Sequence, residues 1–440
     1  MVMVWKMMIM LLLILFFMTI IAYVFGEFDI ISPAFVVPAT FTFCVGLAAI
    51  YTDTWNLPMH FDTAVIILVM VLFFEIGVIY SSCVCDRNKD HNNQLDRLYT
   101  YTLSNRLFLL FISSMAVIAW LNYQELFFIS RQFTLSTDLG VIIGATIHQL
   151  QLGNVEFSRW NSYRSMLAQG MTYVSLFAFL NNAICRRKII ITDFKFLVIV
   201  FLYAPILIFT GGRQQVIYLT IYTLVLGVFL YRLKNGFLRS NGYRLIGVGI
   251  LALSIFIGLF YILGILSGKI RESYTITRVL AHYAGTNISA LDYFINQGHI
   301  PDTGFIGTMT LTGIYSWLRV IGFELPEVRT YISTFVQFDG ITTNVYTALR
   351  RYIQDYGYVG CGMIMLLLGM LYQAVYNYLK HKFNYFALIL YSFYCYPIFL
   401  LCREERFMTN ILSTTTIYML ICVYITYKVL QKNELPLKGV

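Results

Sequence analysis

Long apolar runs cut by short charged gaps constrain this chain more than any other feature. The first covers residues 7–25, directly after Lys6, and holds no charge. A helix rises 1.5 Å per residue, so about 20 apolar residues cross the roughly 30 Å hydrocarbon layer of a bilayer. Similar runs recur at about 29–51, 63–85, 106–128, 166–184, 196–210, 214–231, 245–267, 358–379, 385–402 and 411–427. In hydrocarbon, only helices and closed barrels pair every backbone polar group internally. These runs are continuous rather than alternating, so they predict helices. The expected fold is an all-α polytopic membrane protein with about 11–12 transmembrane helices. The first run is long for a signal peptide and lacks a small-residue cleavage site, so it is expected to be retained.

Composition agrees. Of 440 residues, 59% are hydrophobic and only 12% charged, with a mean hydropathy of +0.71. A soluble domain carries about 25% charged residues. The apolar runs leave room for no large soluble domain, so residues 1–440 read as one membrane domain. The 33 Tyr and 36 Phe suit a chain with two headgroup boundaries, where aromatic rings collect. The net charge of +9 would raise nucleic acid as a partner in a soluble protein. Here the basic residues sit in short gaps, so orientation in the bilayer explains them and no nucleic-acid partner is expected. Eight cysteines lie in or beside apolar runs without framework or C-x-x-C spacing, and read as small packing residues.

The basic gaps set orientation. Arg186, Arg187, Lys188 and Lys195 fall in one gap, and Arg232, Lys234, Arg239 and Arg244 in a second. Lys380 and Lys382 mark a third, and Lys428, Lys432 and Lys438 the tail. The positive-inside rule puts all four in the cytoplasm, and an even number of runs separates each from the next. The C-terminus is then cytoplasmic. The opposite side receives the turn near Gly211, residues 268–357 as a large extracytoplasmic loop region with short helices, and residues 403–410. Eleven helices would place Met1 outside; an extra re-entrant segment near residues 139–150 would place it inside. Within the large region, 304–322 reads as an amphipathic or re-entrant helix.

Four clusters could carry chemistry. Thr210-Gly211-Gly212-Arg213-Gln214-Gln215 is a tight turn with Arg213 at the start of the next helix. A cation there opposes the helix dipole, which an anionic ligand would relieve; a snorkelling interfacial arginine is the plainer explanation. Arg278 and His282 are four residues apart and share a helix face. The cation disfavours protonation of the imidazole, keeping it available as a base; two surface residues are the plainer explanation. In Thr342–Gly360, a helix capped by Thr343 or Asn344 would put Tyr346 with Arg350 on one face and Arg351 with Asp355 on another. The second pair reads as an i,i+4 salt bridge, leaving Arg350 for a ligand. Arg403-Glu404-Glu405-Arg406 carries both signs and reads first as a self-paired loop, second as an acceptor site. His60 and Asp62 resemble ordinary loop residues. Glu75 is an intramembrane carboxylate that needs a polar partner. The chain has no H-E-x-x-H, P-loop or G-x-S-x-G pattern and no metal-ligand spacing.

Thr210–Arg213, then Arg278–Tyr283 with the following G-T-N-I-S-A-L-D to Asp292, then N-V-Y-T from Asn344 with D-Y-G-Y-V-G from Asp355 together resemble the Wzy-type O-antigen and capsule polymerases. The resemblance covers roughly residues 200–430; the first half matches in hydropathy only. It implies a GT-C-like multi-helix glycosyltransferase of the bacterial inner membrane, with its active site facing the periplasm. It implies undecaprenyl-pyrophosphate-linked oligosaccharide repeat units as substrates, transfer without metal or other cofactor, and a chain-length-determining co-polymerase as partner beside membrane lipid. Charge developing on a pyrophosphate leaving group would be met by arginine forks, here Arg213, Arg278 and Arg350. His282 is the first choice of base and Asp355 the second. Tyr283, Tyr346 and Arg403 would contact acceptor or glycan. An O-antigen ligase shares this architecture with a different acceptor. A lipid-linked oligosaccharide transporter is the alternative outside enzymes, against which the lack of an internal repeat counts. A histidine-dependent membrane acyltransferase is a third reading.

Overall fold

The computed structural model describes residues 2–85, 99–186, 189–211, 213–236, 242–266, 274–297, 306–325 and 335–436. Arg187, Lys188, Arg239 and Lys438 of the basic gaps, Gly212 of the glycine turn and the first two residues of the 304–322 segment lie outside the described residues. The first helices are α1 (Val2–Phe25), α2 (Pro33–Trp55) and α3 (Phe61–Cys85), then a short strand β1 (Tyr99–Tyr101). There follow α4 (Asn105–Ser130), α5 (Leu139–Leu152), α6 (Arg159–Arg186), α7 (Phe194–Phe201), α8 (Tyr203–Phe209), α9 (Arg213–Asn235) and α10 (Gly242–Leu266). Next come the short helices α11 (Ile276–Ala284), α12 (Thr286–Gln297) and α13 (Thr312–Val320), and a hairpin of β2 (Val336–Phe338) and β3 (Ile341–Thr343). The chain ends in α14 (Ala348–His381), α15 (Tyr385–Phe393), α16 (Tyr396–Leu400), α17 (Thr414–Gln431) and β4 (Glu434–Pro436).

Among the described residues, seven helical segments are long and apolar enough to cross a membrane, as a polytopic membrane protein requires. All eleven apolar runs fall mainly on helix, but several depart from a single straight span. Residues 196–210 form α7 and α8, broken at Leu202, because Pro205 lacks an N–H and its ring crowds the carbonyl of residue 201. Pro397 separates α15 from α16 in the same way, four residues after the last residue of α15. α14 starts ten residues before the apolar run and turns sharply at Gly357, whose φ of 67° and ψ of −176° are open to glycine at little steric cost.

The ion pairs and strands show which ends lie together. β1 pairs antiparallel with β4, joining the segment before α4 to the tail. Lys195 donates to Leu103 O and Asn105 Oδ1, at 3.3 and 2.7 Å. Lys234 donates to the last carbonyls of α6, those of Ile184 and Cys185. Arg232 pairs with Asp29 at 3.3 Å and Lys380 with Glu27 at 3.3 Å. The basic gaps therefore share one face with the α1–α2 turn. Val4 and Met7, at the start of α1, line a cavity with residues 56–61 on the opposite face. Glu125, near the end of α4, pairs with Arg164, near the start of α6, at 2.7 Å. Both ends of α5 thus stay on that opposite face and α5 does not cross. The start of α1 and β4 therefore lie on opposite faces.

α3 and α14 run side by side in close contact. A Cβ at Gly77 would overlap the Leu366 carbonyl oxygen, and one at Gly369 the Phe74 carbonyl oxygen. Close backbone approach of this kind is how helices gain dispersion energy where lipid is as apolar as leucine. Gly369→Leu should force the helices apart and lower stability by about 1–3 kcal/mol, read as reduced membrane abundance and a lower unfolding temperature in detergent. At the basic face, Arg232 and Asp29 are 1% and 2% exposed, and Tyr376 also donates to the Asp29 carboxylate. Removing one member of a buried pair strands a charge, at about 3–5 kcal/mol. Asp29→Ala and Arg232→Met should each destabilise by about that much, and the double variant by clearly less than their sum, in a thermal-unfolding double-mutant cycle.

Candidate functional site

On the face opposite the basic gaps, α11, α12, the hairpin, the start of α14 and residues 401–413 meet. Thr275 caps α11, its hydroxyl accepting from Arg278 N at 3.3 Å. One turn on, His282 Nε2 donates to Thr342 O at 3.0 Å. A carbonyl only accepts, so Nε2 carries the proton and Nδ1 keeps the lone pair in the neutral ring. Burial, followed by the Arg278 charge, pulls the His282 pKa below its ordinary 6.5, against the Thr342 bond. Arg278 itself lies over the Tyr274 ring, 4.6 Å from its centre. Tyr283 lies beside His282, ring centres 5.0 Å apart.

Arg350 is buried, with its guanidinium 3.7 Å from the Tyr346 ring centre and 5.2 Å from that of Phe294 on α12. The expected cap of this helix is corrected. The N-cap is Thr347, with no side-chain cap bond, rather than Thr343 or Asn344. The Ala348 N–H instead donates to Leu401 O, at 2.9 Å, because the end of α16 supplies a carbonyl from across the fold. The Arg351–Asp355 salt bridge is likewise replaced. Asp355 accepts from Thr310 N and Oγ1, at 2.8 and 2.7 Å, and from Met309 N at 3.1 Å. Arg351 donates to Met309 O at 3.3 Å. Both side chains grip the loop before α13, which offers donors and an acceptor that a solvated pair would lack. Asp355 thus serves the loop backbone.

The 403–406 segment is self-paired in part. Glu404 and Arg406 form an ion pair, and Gln214 bridges them, donating to Glu404 and accepting from Arg406. Although burial raises the Glu404 pKa, the charges of Arg406 and Arg403 hold it below the ordinary carboxylate range. Glu405 is buried and accepts from Met408 N, Thr409 N and Tyr352 OH, at 2.6, 3.0 and 3.3 Å. The two backbone bonds tie Glu405 to the π-helical turn Phe407–Ile411. Arg403 adds its charge to this cluster, and its Nε is buried without a hydrogen-bond partner. The backbone of Arg213 starts α9, as expected, next to Gln214; its side chain is outside the described residues.

Arg403 also stands at one end of the most telling feature, an apolar cleft of about 420 Å³ between α2, α9, α10, α11 and α16. On α2 the lining runs from Phe35 to Cys44, roughly 14 Å at 1.5 Å per residue. It reaches Ile30 and Ile246 toward the basic face, and Tyr283 and Arg403 at the far face. The sequence could not show this cleft, because its walls come from helices far apart in the chain.

Among the described residues no group of His, Cys, Asp and Glu could hold a metal, and the seven cysteines described are free. Glu75 has a buried Oε1 without a hydrogen-bond partner. His60, read as an ordinary loop residue, pairs instead with the buried Asp292 at 2.8 Å; no spacing rule links positions so far apart. Comparison with protein-family models, with curated proteins and with solved structures found no match. The class that fold and site define is therefore structural: a multi-helix protein of membrane-spanning composition, with an apolar cleft ending at an arginine and a histidine-bearing loop cluster beside it.

His282 titration should be visible in stability. Its folded pKa is depressed, so the unfolded chain binds the proton more tightly. Stability is then full above about 6.5 and falls as pH drops through that value. Wild type should lose more stability than His282→Gln between about pH 7.5 and about pH 5, measured as unfolding temperature in detergent.

Proposed function

We propose that this chain is a glycosyltransferase of the bacterial inner membrane that joins undecaprenyl-pyrophosphate-linked oligosaccharide repeat units into O-antigen or capsular polysaccharide. The carrying observation is the apolar cleft with Arg403 at its end and His282 and Tyr283 at the same end. A polyprenyl pyrophosphate has that shape: a long apolar tail and a doubly charged head at the membrane surface. The tail would lie along the cleft, and burial of apolar surface supplies its affinity. The head would meet Arg403, with Arg350, Arg278 and Arg213 as further candidates on that face. The basic gaps mark the cytoplasmic side by the positive-inside rule, so the loop cluster faces the periplasm.

The reaction follows from these groups. The acceptor sugar hydroxyl attacks the anomeric carbon of the donor glycan. The bond from that carbon to the pyrophosphate oxygen breaks, and the pyrophosphate leaves with the electron pair. The hydroxyl proton passes to a base. His282 suits that role, since burial and Arg278 favour its neutral form and Nδ1 holds the lone pair. The leaving oxygens gain negative charge as the bond breaks, and fixed guanidinium groups stabilise it without reorganising. Asp355 and Glu405 take no part; their oxygens hold backbone N–H groups.

The test is deletion of the gene in its native host, with the surface polysaccharide run on a gel. Loss of the ladder to a single repeat unit, restored by wild type, supports polymerase action. Arg403→Ala and Arg350→Ala, each verified in the membrane, should lower polymer formation by about 10²–10³-fold. Long polymer stranded on its lipid carrier after deletion would instead mean a ligase. Accumulation of repeat units on the cytoplasmic side would mean a transporter.

A further inference from the structure

A second cavity opens on the same face as the loop cluster, on the other side of α12. It measures about 560 Å³, within the range of small-molecule sites. Its walls are the start of α1, the α2–α3 turn, α12 and the tip of the hairpin. Three aromatic rings line it: Phe61, Tyr293 and Phe338. Phe61 is 61% exposed and Tyr293 40% exposed, so both present ring surface to whatever enters. Asn56, Gln337 and Asp339, also exposed, line the same cavity.

The histidine at this cavity is held in place. Asp292 is fully buried and accepts from His60 N at 2.7 Å and from His60 Nδ1 at 2.8 Å. The Asp292 carbonyl accepts from Asn296 Nδ2 at 2.9 Å. An ionised carboxylate only accepts, so Nδ1 carries the proton and the ring presents Nε2 outward as an acceptor when neutral. The His60 side chain is 60% exposed. An ion pair with one exposed member contributes little to stability. Here the buried member orients an open one, the arrangement by which a second residue fixes a histidine for a ligand.

We propose that this cavity is a saccharide-binding subsite. A pyranose ring carries an apolar C–H face and a rim of hydroxyls. The C–H face packs on an aromatic ring, and the hydroxyls need closely set donors and acceptors. Phe61 and Tyr293 supply the rings; His60, Asn56, Gln337 and Asp339 supply the rim. The place of the cavity indicates which sugars it takes. Phe294 packs against Arg350 on one side of α12, while its neighbour Tyr293 opens into the cavity. The hairpin spans both regions too, with Thr342 on His282 and Phe338 in the cavity. A glycan whose pyrophosphate end sits among the arginines would lay its farther sugars here. That identity of the glycan rests on the proposed glycosyl transfer; the saccharide chemistry of the cavity does not.

The experiment uses the full chain in detergent and, as probe, the host's surface glycan freed of lipid and phosphate, as one and two repeat units. Binding is followed by calorimetry and by saturation-transfer NMR. Wild type should bind. Tyr293→Ala, Phe61→Ala and His60→Gln should each weaken binding about tenfold or more, while Tyr293→Phe retains it. Phe61 is exposed, so its variant guards against a folding defect. No binding by wild type, or unchanged binding in all three variants, overturns the subsite. If binding maps to the cavity but deletion leaves the polysaccharide ladder intact, the proposed function falls and the subsite stands. If the ladder needs the gene but binding ignores these side chains, the subsite falls alone.

Discussion

Hydrocarbon offers no partner to a backbone N–H or carbonyl, and the rest of this structure follows from that constraint. Each apolar run closes its bonds within a helix. Where a helix fails, the chain provides substitutes locally. Pro205 and Pro397 each split a run into two shorter helices that continue one after the other. The interruption at Gly357 brings an amphipathic stretch onto the end of a spanning helix. At the first residue of that stretch the N–H finds the Leu401 carbonyl. Irregular backbone at membrane depth survives only where protein surrounds it.

The same constraint decides what the acidic side chains do. Asp355 holds the N–H groups of Met309 and Thr310, and Glu405 those of Met408 and Thr409. Each carboxylate gives an irregular segment the acceptors it would otherwise lack, and charge-assisted bonds of this kind are stronger than neutral ones. Two segments are fixed this way on the face that carries Arg403. With Asp355 and Glu405 spent on backbone and Glu404 paired with Arg406, the groups left to meet a ligand there are arginine, histidine and tyrosine. That balance favours an anionic ligand and disfavours a cationic one.

Asp29 and Arg232 perform the corresponding task at the basic face, enclosed between the α1–α2 turn, α9 and α14. A pair so thoroughly buried contributes little net energy compared with an apolar replacement, and matters for fixing which helices sit together. The close contact of α3 with α14 fixes register by shape instead. The Asp29–Arg232 pair ties the entry to α2 to α9, two of the helices that wall the cleft.

The helical class, the approximate runs and the grouping of the basic gaps were legible in the sequence, because hydropathy and charge are local properties read at fixed spacing. The one-turn relation of Arg278 to His282 belongs to the same local order, whereas the breaks at Pro205, Pro397 and Gly357 fell inside or beside runs read as single spans. The sequence also singled out Arg350 and Arg403, though it could not say what lay around them. Only the tertiary structure decided that Asp355 holds Met309 and Thr310 rather than Arg351, that His60 meets Asp292 (232 positions away), and that α5 does not cross. It alone placed Arg403 over a cleft with walls from five separate helices. The physical reason is that packing of distant segments is set by side-chain shape and unmet hydrogen bonds summed over the whole fold, and no window of adjacent residues contains either.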